Sequence, residues 1–353
     1  MNRHDRIRMS SIGMAPHAAR IAAAAALLAF ASGPSHADSI ADFYKGKTMT
    51  FMVGAEEGGP YVTYTRALIE QMQQRIPGRP NIIVQTMPGA GGVKMANYMF
   101  NVAPKDGIMV GSPLPAVPLT QVLRPNAVKF DAAKFQWVGN LSGSPPVIAL
   151  SDKSPAQTLD EATRVEVSVA SSGKGSVTYQ VPAMLTSLIG TKFKIVSGYK
   201  GGPDMDLAIE RGEVHGRAYF YENLKVVMGD KVKAGKMFAL VQVAMNMPDE
   251  IRNVPNVADK ADTDEARAAF EFYALQAATG RAYFTPPDVP ADRVKALRDA
   301  FRQTTSSPEF AAMMQARNLP FDVTDGEHVQ AAVEKLVATP KPVVERVRKI
   351  IGF

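Results

Sequence analysis

Two rhythms of apolar and polar residues alternate along the chain. Residues 49–53 form a short apolar run, partly β-branched or aromatic, which predicts a buried strand. Gly54, Gly58 and Gly59 interrupt it. From there Tyr61, Tyr64, Ala67, Leu68 and Met72 recur at helical spacing. The unit is strand, glycine turn, helix, and it repeats at once. Residues 81–86 predict a second buried strand, Met87-Pro-Gly-Ala-Gly-Gly92 a turn, and residues 93–102 a helix.

A third strand is expected at 108–111. Apolar runs at 135–139 and 146–150 are joined by Asn140-Leu-Ser-Gly-Ser-Pro145, where the chain is expected to cross into a second domain. The same alternation follows there. Strands are expected at 166–170, 193–197, 214–219 and 237–243, and helices at 158–162, 177–189, 204–210 and 264–272. A strand within 273–284 ends at Pro286-Pro287, where the chain is expected to return. Amphipathic helices at 291–304, 308–317, 326–337 and 342–351 read as scaffold. The pattern predicts an α/β chain of two domains, 38–143 with 275–353, and 144–274.

Residues 1–37 do not fit this pattern. Four Arg precede or flank an uncharged Ala/Leu run at 21–31, and Ser35-His36-Ala37 suits cleavage before Asp38. The segment predicts an export signal and a periplasmic protein; its apolar run is shorter than the ~20 residues a membrane span needs. It holds four Arg and one Asp, so three of the six net positive charges go with it, leaving +3. Charges of both signs are interspersed, which does not favour nucleic acid as a partner.

The chain has no Cys, which excludes thiol nucleophiles and Cys-based metal sites. Of five His, only His215 and His328 lie beyond residue 37. Gly89-Ala-Gly91-Gly-Val-Lys94 follows a strand as a dinucleotide motif would, but Lys94 occupies the third glycine position. Gly173-Lys-Gly-Ser176 lacks the spacing of a phosphate-binding loop, and no Gly-x-Ser-x-Gly elbow is present. No catalytic residue, metal or cofactor is expected.

What remains is a set of glycine-rich loops at strand ends, whose backbone N–H groups suit carboxylate oxygens. The candidate ligand-binding residues are Gly58, Gly59 and Tyr61 in the first loop, and Gly89, Ala90 and Gly91 in the second. The third loop offers Ser171, Ser172, Gly173 and Ser176, and the fourth Tyr199. Arg217 is the rival, a cation able to reach a cleft from the second domain.

These loops carry a resemblance. Gly58-Gly59 with Arg66, Met87-Pro-Gly-Ala-Gly-Gly92, Ala103-Pro-Lys-Asp-Gly107, Ser171-Ser-Gly-Lys-Gly-Ser176, Tyr199-Lys-Gly201 and Arg211-Gly-Glu-Val214 follow in order. In that order the chain resembles the Bug-type extracytoplasmic solute receptors of the tripartite tricarboxylate transporter system. The resemblance implies a two-domain, type II periplasmic-binding-protein-like fold with a ligand cleft between the domains. It implies a periplasmic receptor for a small organic acid, and membrane transporter subunits as partners; the receptor itself is expected to be a monomer. The alternatives are a secreted hydrolase or isomerase using the same cleft, and a receptor presenting its ligand to a signalling partner. One departure stands out: family members commonly have Pro-Gly-Gly and then an Asp, where this chain has Glu57-Gly-Gly and Val62.

Overall fold

The computed structural model describes residues 40–244 and 249–353. The predicted export signal lies outside the described residues. The first stretch runs α1 (Ile40–Tyr44), β1 (Thr48–Val53), α2 (Pro60–Met72), β2 (Asn81–Thr86), α3 (Val93–Asn101), β3 (Met109–Ser112), α4 (Ala116–Leu123) and β4 (Gln136–Asn140). There follow β5 (Pro146–Ser151), α5 (Leu159–Ala162), β6 (Val167–Ser171), α6 (Val177–Ile189), β7 (Phe193–Ser197) and α7 (Gly202–Glu210). Next come β8 (Gly216–Phe220), α8 (Tyr221–Lys233), β9 (Met237–Gln242) and α9 (Asp264–Ala274). The chain closes with β10 (Ala282–Thr285), α10 (Ala291–Thr305), α11 (Pro308–Ala316), β11 (Thr324–Asp325), α12 (Gly326–Val337) and α13 (Lys341–Ile351).

These strands build two sheets, ordered β11-β4-β10-β3-β1-β2 and β7-β6-β8-β5-β9. In the first, β1 lies parallel between β2 and β3, while β10 runs antiparallel to β3 and β4. In the second, β6 is parallel to β7 and β8, and β5 runs antiparallel between β8 and β9. The chain changes sheet between β4 and β5, and changes back between β9 and β10.

Burial explains the strand patterns. Successive side chains of a strand point to opposite faces. On β5, Ile148 and Leu150 join the core of Val181, Leu185 and Phe270, whereas Val147 and Ala149 join that of Met205 and Tyr219. Both faces are covered, so β5 reads as an unbroken apolar run. β2 differs from its expected burial. It is the edge of its sheet, with Ile82 7% exposed but Ile83 38% exposed. The core beside β5 also takes Leu119 and Leu123 of α4 and Val344, Val347 and Ile351 of α13.

The strand expected within 273–284 shrinks to β10, because α9 continues to Ala274 and a 3-10 turn follows at Leu275–Thr279. Phe272, Tyr273, Ala274 and Leu275 are all buried. A run buried all round has no period to separate helix from strand. Helix α8 has no clear stripe in the sequence: Val226, Val227 and Val232 are exposed, and Gly229 interrupts it. β-branched residues and Gly are weak helix formers, so packing by Leu224 and Met228 carries the helix.

His215, just before β8, makes the fold sensitive to acid. Its Nδ1 accepts the Ser168 backbone N–H at 3.1 Å, so the neutral ring fits the site. Burial also lowers its pKa. The folded protein therefore binds this proton less readily than the unfolded chain, whose His titrates near ~6.5. The His215 contribution to stability is present above that value and is lost as pH falls through the lower folded-state pKa. Urea unfolding compared at about pH 7.5 and about pH 5.5 should show a smaller acid-induced drop in midpoint for His215→Gln than for the parent.

Candidate ligand-binding site

The two sheet-changing segments lie against each other. A Cβ on Gly280 would sit 2.1 Å from the Ser142 carbonyl oxygen, so only glycine allows this approach. Asn140, fully buried, accepts the Arg281 N–H at 2.7 Å. The Leu141 N–H donates to the Arg281 carbonyl at 3.0 Å, and the Thr279 hydroxyl donates to the Pro115 carbonyl at 3.0 Å. Around this seam Pro60, Tyr61, Pro115, Ser144, Phe220, Glu222, Asn223, Gly280 and Arg281 enclose a cavity of about 180 Å³.

Arg281 and Glu222 set its electrostatics. The Arg281 guanidinium stacks over the Tyr64 ring at 4.0 Å, with Tyr61 at 5.9 Å. Its Nε is buried without a hydrogen-bond partner. Burial pushes the Tyr61 and Tyr64 hydroxyls up to about 12, against the pull of Arg281, so both stay protonated at neutral pH. Glu222 opens α8, where its backbone N–H donates to Ser144 Oγ at 2.9 Å. Its carboxylate lies 3.2 Å from Lys225 Nζ, yet Oε2 is buried and unpartnered. Burial raises the Glu222 pKa, while Lys225 and then Arg281 pull it back. A wider groove of about 980 Å³, between α8 and residues 311–322, also touches Glu222. There Lys225 and Glu250 already pair at 2.8 Å, and Asp230, Lys233 and Asp322 are exposed to solvent, whereas the charged groups of the cavity include buried atoms without a partner.

Of the residues expected at the site, Tyr61 lines the cavity. Gly59 is the N-cap of α2 and, with Gly58, leads the chain to Pro60 at the cavity wall. Glu57 turns outward to Arg66 at 2.5 Å, both more than half exposed, and Val62 is buried in the core. Gly89, Ala90 and Gly91 form an exposed loop beyond β2. Its backbone has positive φ from Gly89 through Gly92, and Ala90 at +48° is strained there.

The serine loop is occupied with itself. Ser171 Oγ accepts the Gly173 N–H at 3.0 Å, and Thr178 Oγ1 accepts the Ser172 N–H at 3.1 Å. The Ser176 hydroxyl donates to the Gly173 carbonyl at 2.8 Å. Tyr199 packs beside Met205 and Tyr219. The Arg217 side chain, 5% exposed, is clamped by Asp206 through two hydrogen bonds of 2.7 and 3.0 Å. It also stacks on Tyr219 at 3.6 Å, and the Tyr219 hydroxyl donates to Asp206 at 2.7 Å.

Sequence reasoning thus missed Arg281 and Glu222. One signal was available for Arg281: Gly280-Arg-Ala-Tyr-Phe284 repeats Gly216-Arg-Ala-Tyr-Phe220 residue for residue. Glu222 lies in the helix whose pattern is faint.

Two α/β sheets joined by two crossings enclose a largely apolar cavity with Arg281 and Glu222 in its wall. Residues 65–349 match the model of the tripartite tricarboxylate transporter family receptor. The chain belongs to that family, whose members are receptors and not enzymes. A relative from Cupriavidus necator, described as the UPF0065 protein in the gbd 5′ region, is 25% identical over 340 residues, covering 93% of this chain and 95% of that one. A TctC solute-binding protein from Polaromonas, solved without ligand, superposes with a TM-score of 0.66 at 17% identity, covering 88% of this chain and 99% of that one. MatC from Rhodopseudomonas palustris, solved with bound malate, superposes with a TM-score of 0.57 at 20% identity, covering 86% and 99%. The α/β two-sheet, periplasmic-binding-protein-like fold is common to all three structures.

Proposed function

We propose that this receptor is exported, captures a small carboxylate in the cavity at the seam, and hands it to the membrane subunits of a tripartite transporter. One observation carries the ligand class: Arg281 lines the cavity, and its guanidinium has no anionic partner among the described residues. A guanidinium without a countercharge favours a bound carboxylate, and a charge-assisted hydrogen bond is worth about 1.5–3 kcal/mol. Arginine's planar fork suits a carboxylate in particular. The malate bound by MatC is a carboxylate too.

The change of sheet after β4 and after β9 supports two lobes, 38–143 with 275–340, and 144–274, hinged at 141–145 and 275–281, with α13 at 341–351 returning to the core of the second instead of staying in the first. The Arg-rich start, the apolar run and the Ser35-His36-Ala37 site support export and cleavage before Asp38. The family name supports the transporter partnership.

Titration calorimetry of the exported protein with short organic acids tests the reading. At least one acid should bind, and its primary amide, which has the same shape without the charge, should bind at least about tenfold more weakly. Equal binding of acid and amide would remove the carboxylate from the proposal.

A further inference from the structure

The cavity wall holds a carboxylate with one unpartnered oxygen as well as a cation without an ion pair among the described residues. We propose that Glu222 is a specificity residue, and that the ligand carries a protonated amine in addition to its carboxylate. The inference rests on the receptor reading above and narrows it to amino-carboxylates.

Glu222 is 7% exposed, and its Oε2 has no hydrogen-bond partner. A buried carboxylate oxygen without a donor is costly, and native proteins rarely keep one without a use. Lys225 answers the other oxygen, at 3.2 Å from Oε1. Arg281 lies near enough for its charge to act on Glu222. The two form no ion pair within 4.0 Å among the described residues. Both line the same cavity of about 180 Å³. Opposite charges held in one cavity, close but not joined, are complementary to a zwitterion lying between them. The carboxylate goes to the Arg281 guanidinium, and the ammonium sits beside the Glu222 carboxylate. Ser144 and Asn223, which also line the cavity, add neutral polar groups.

A plain dicarboxylate fits this arrangement less well. Its second anionic end would meet Glu222, and like charges brought together away from water repel strongly. The two Glu of the first loop do not set this preference. Both are exposed, and Glu57 is bound to Arg66. Glu222 is the carboxylate inside.

The test uses γ-aminobutyrate and succinate, which share a four-carbon chain and differ in one terminus. Both are titrated calorimetrically into the mature protein and into Glu222→Gln, with the melting curve of each protein recorded first. The parent should bind γ-aminobutyrate at least about tenfold more tightly than succinate, and Glu222→Gln should reverse or erase that preference. Should Glu222→Gln fail to fold, the parent's preference alone decides. Succinate binding as tightly as γ-aminobutyrate, or a preference unchanged in Glu222→Gln, overturns the assignment of Glu222 and leaves the carboxylate receptor standing. If neither compound binds the parent, while other plain acids bind in preference to their amides, the assignment of Glu222 is likewise overturned. If no acid binds, both readings fall together.

Discussion

Arg281→Met should weaken carboxylate binding by roughly two orders of magnitude or more, while the melting temperature of the free protein changes little. Removing one member of a buried, hydrogen-bonded charge pair costs about 2–5 kcal/mol, and each 1.4 kcal/mol is about tenfold. The free protein responds differently because its Arg281 has no anion to lose. Among the described residues it makes no ion pair, and its Nε is unsatisfied. Methionine keeps an apolar stem over Tyr64. It forfeits a cation–π contact of about 0.5–2 kcal/mol but also removes an underserved buried donor. The two effects oppose each other. Arg281→Lys restores the charge without the fork and should recover binding only in part. Calorimetry with the tightest-binding acid, paired with thermal unfolding of the ligand-free proteins, checks both halves. A large loss of stability with unchanged affinity would make Arg281 a packing residue of the hinge and nothing more.

Asp206→Ala should do the reverse, costing about 3–5 kcal/mol of stability, because it strands a buried guanidinium. The Asp206 carboxylate accepts two bonds from Arg217 and one from the Tyr219 hydroxyl, in a pocket where the Arg217 side chain is 5% exposed and that of Asp206 15%. The cost lies in what remains after the change. Removing both partners together, as Asp206→Leu with Arg217→Met, should restore much of the loss, since well-packed apolar replacements of buried ion pairs are often neutral. Urea midpoints of the single and double variants measure this directly. A double variant no more stable than Asp206→Ala would show that the pair does more than neutralise itself. If Asp206→Ala remains folded, its affinity at the Arg281 cavity should be unchanged.

Much of the architecture was legible in the chain because it rests on local rules. A glycine turn between a short apolar run and a period-3.6 run is readable at 54–59 and at 87–92. The crossing near 140–145 was legible as two apolar runs joined by small polar residues and Pro145. The glycine loops were placed correctly at strand ends, but their part in a site was not. The Ser171–Ser176 hydroxyls hydrogen-bond within their own loop, and Glu57 turned to Arg66. No local pattern states whether a polar group faces a partner or a cavity.

The repeated pentapeptide shows where sequence stops. Gly216-Arg-Ala-Tyr-Phe220 and Gly280-Arg-Ala-Tyr-Phe284 are the same five residues, and each supplies a strand. Each glycine admits a neighbouring carbonyl to within 2.1 Å of where a Cβ would stand, Ala149 for Gly216 and Ser142 for Gly280. Each arginine stacks on a tyrosine. The sequence by itself determined that much, because strand propensity, glycine's missing Cβ and the cation–π attraction are properties of the residues. Only the tertiary structure decided which arginine was free. Asp206 of α7 folds onto Arg217 and neutralises it, whereas no carboxylate among the described residues pairs with Arg281 at the seam. Charge is written in the chain, but its availability depends on which distant residue arrives beside it, and that is set by packing.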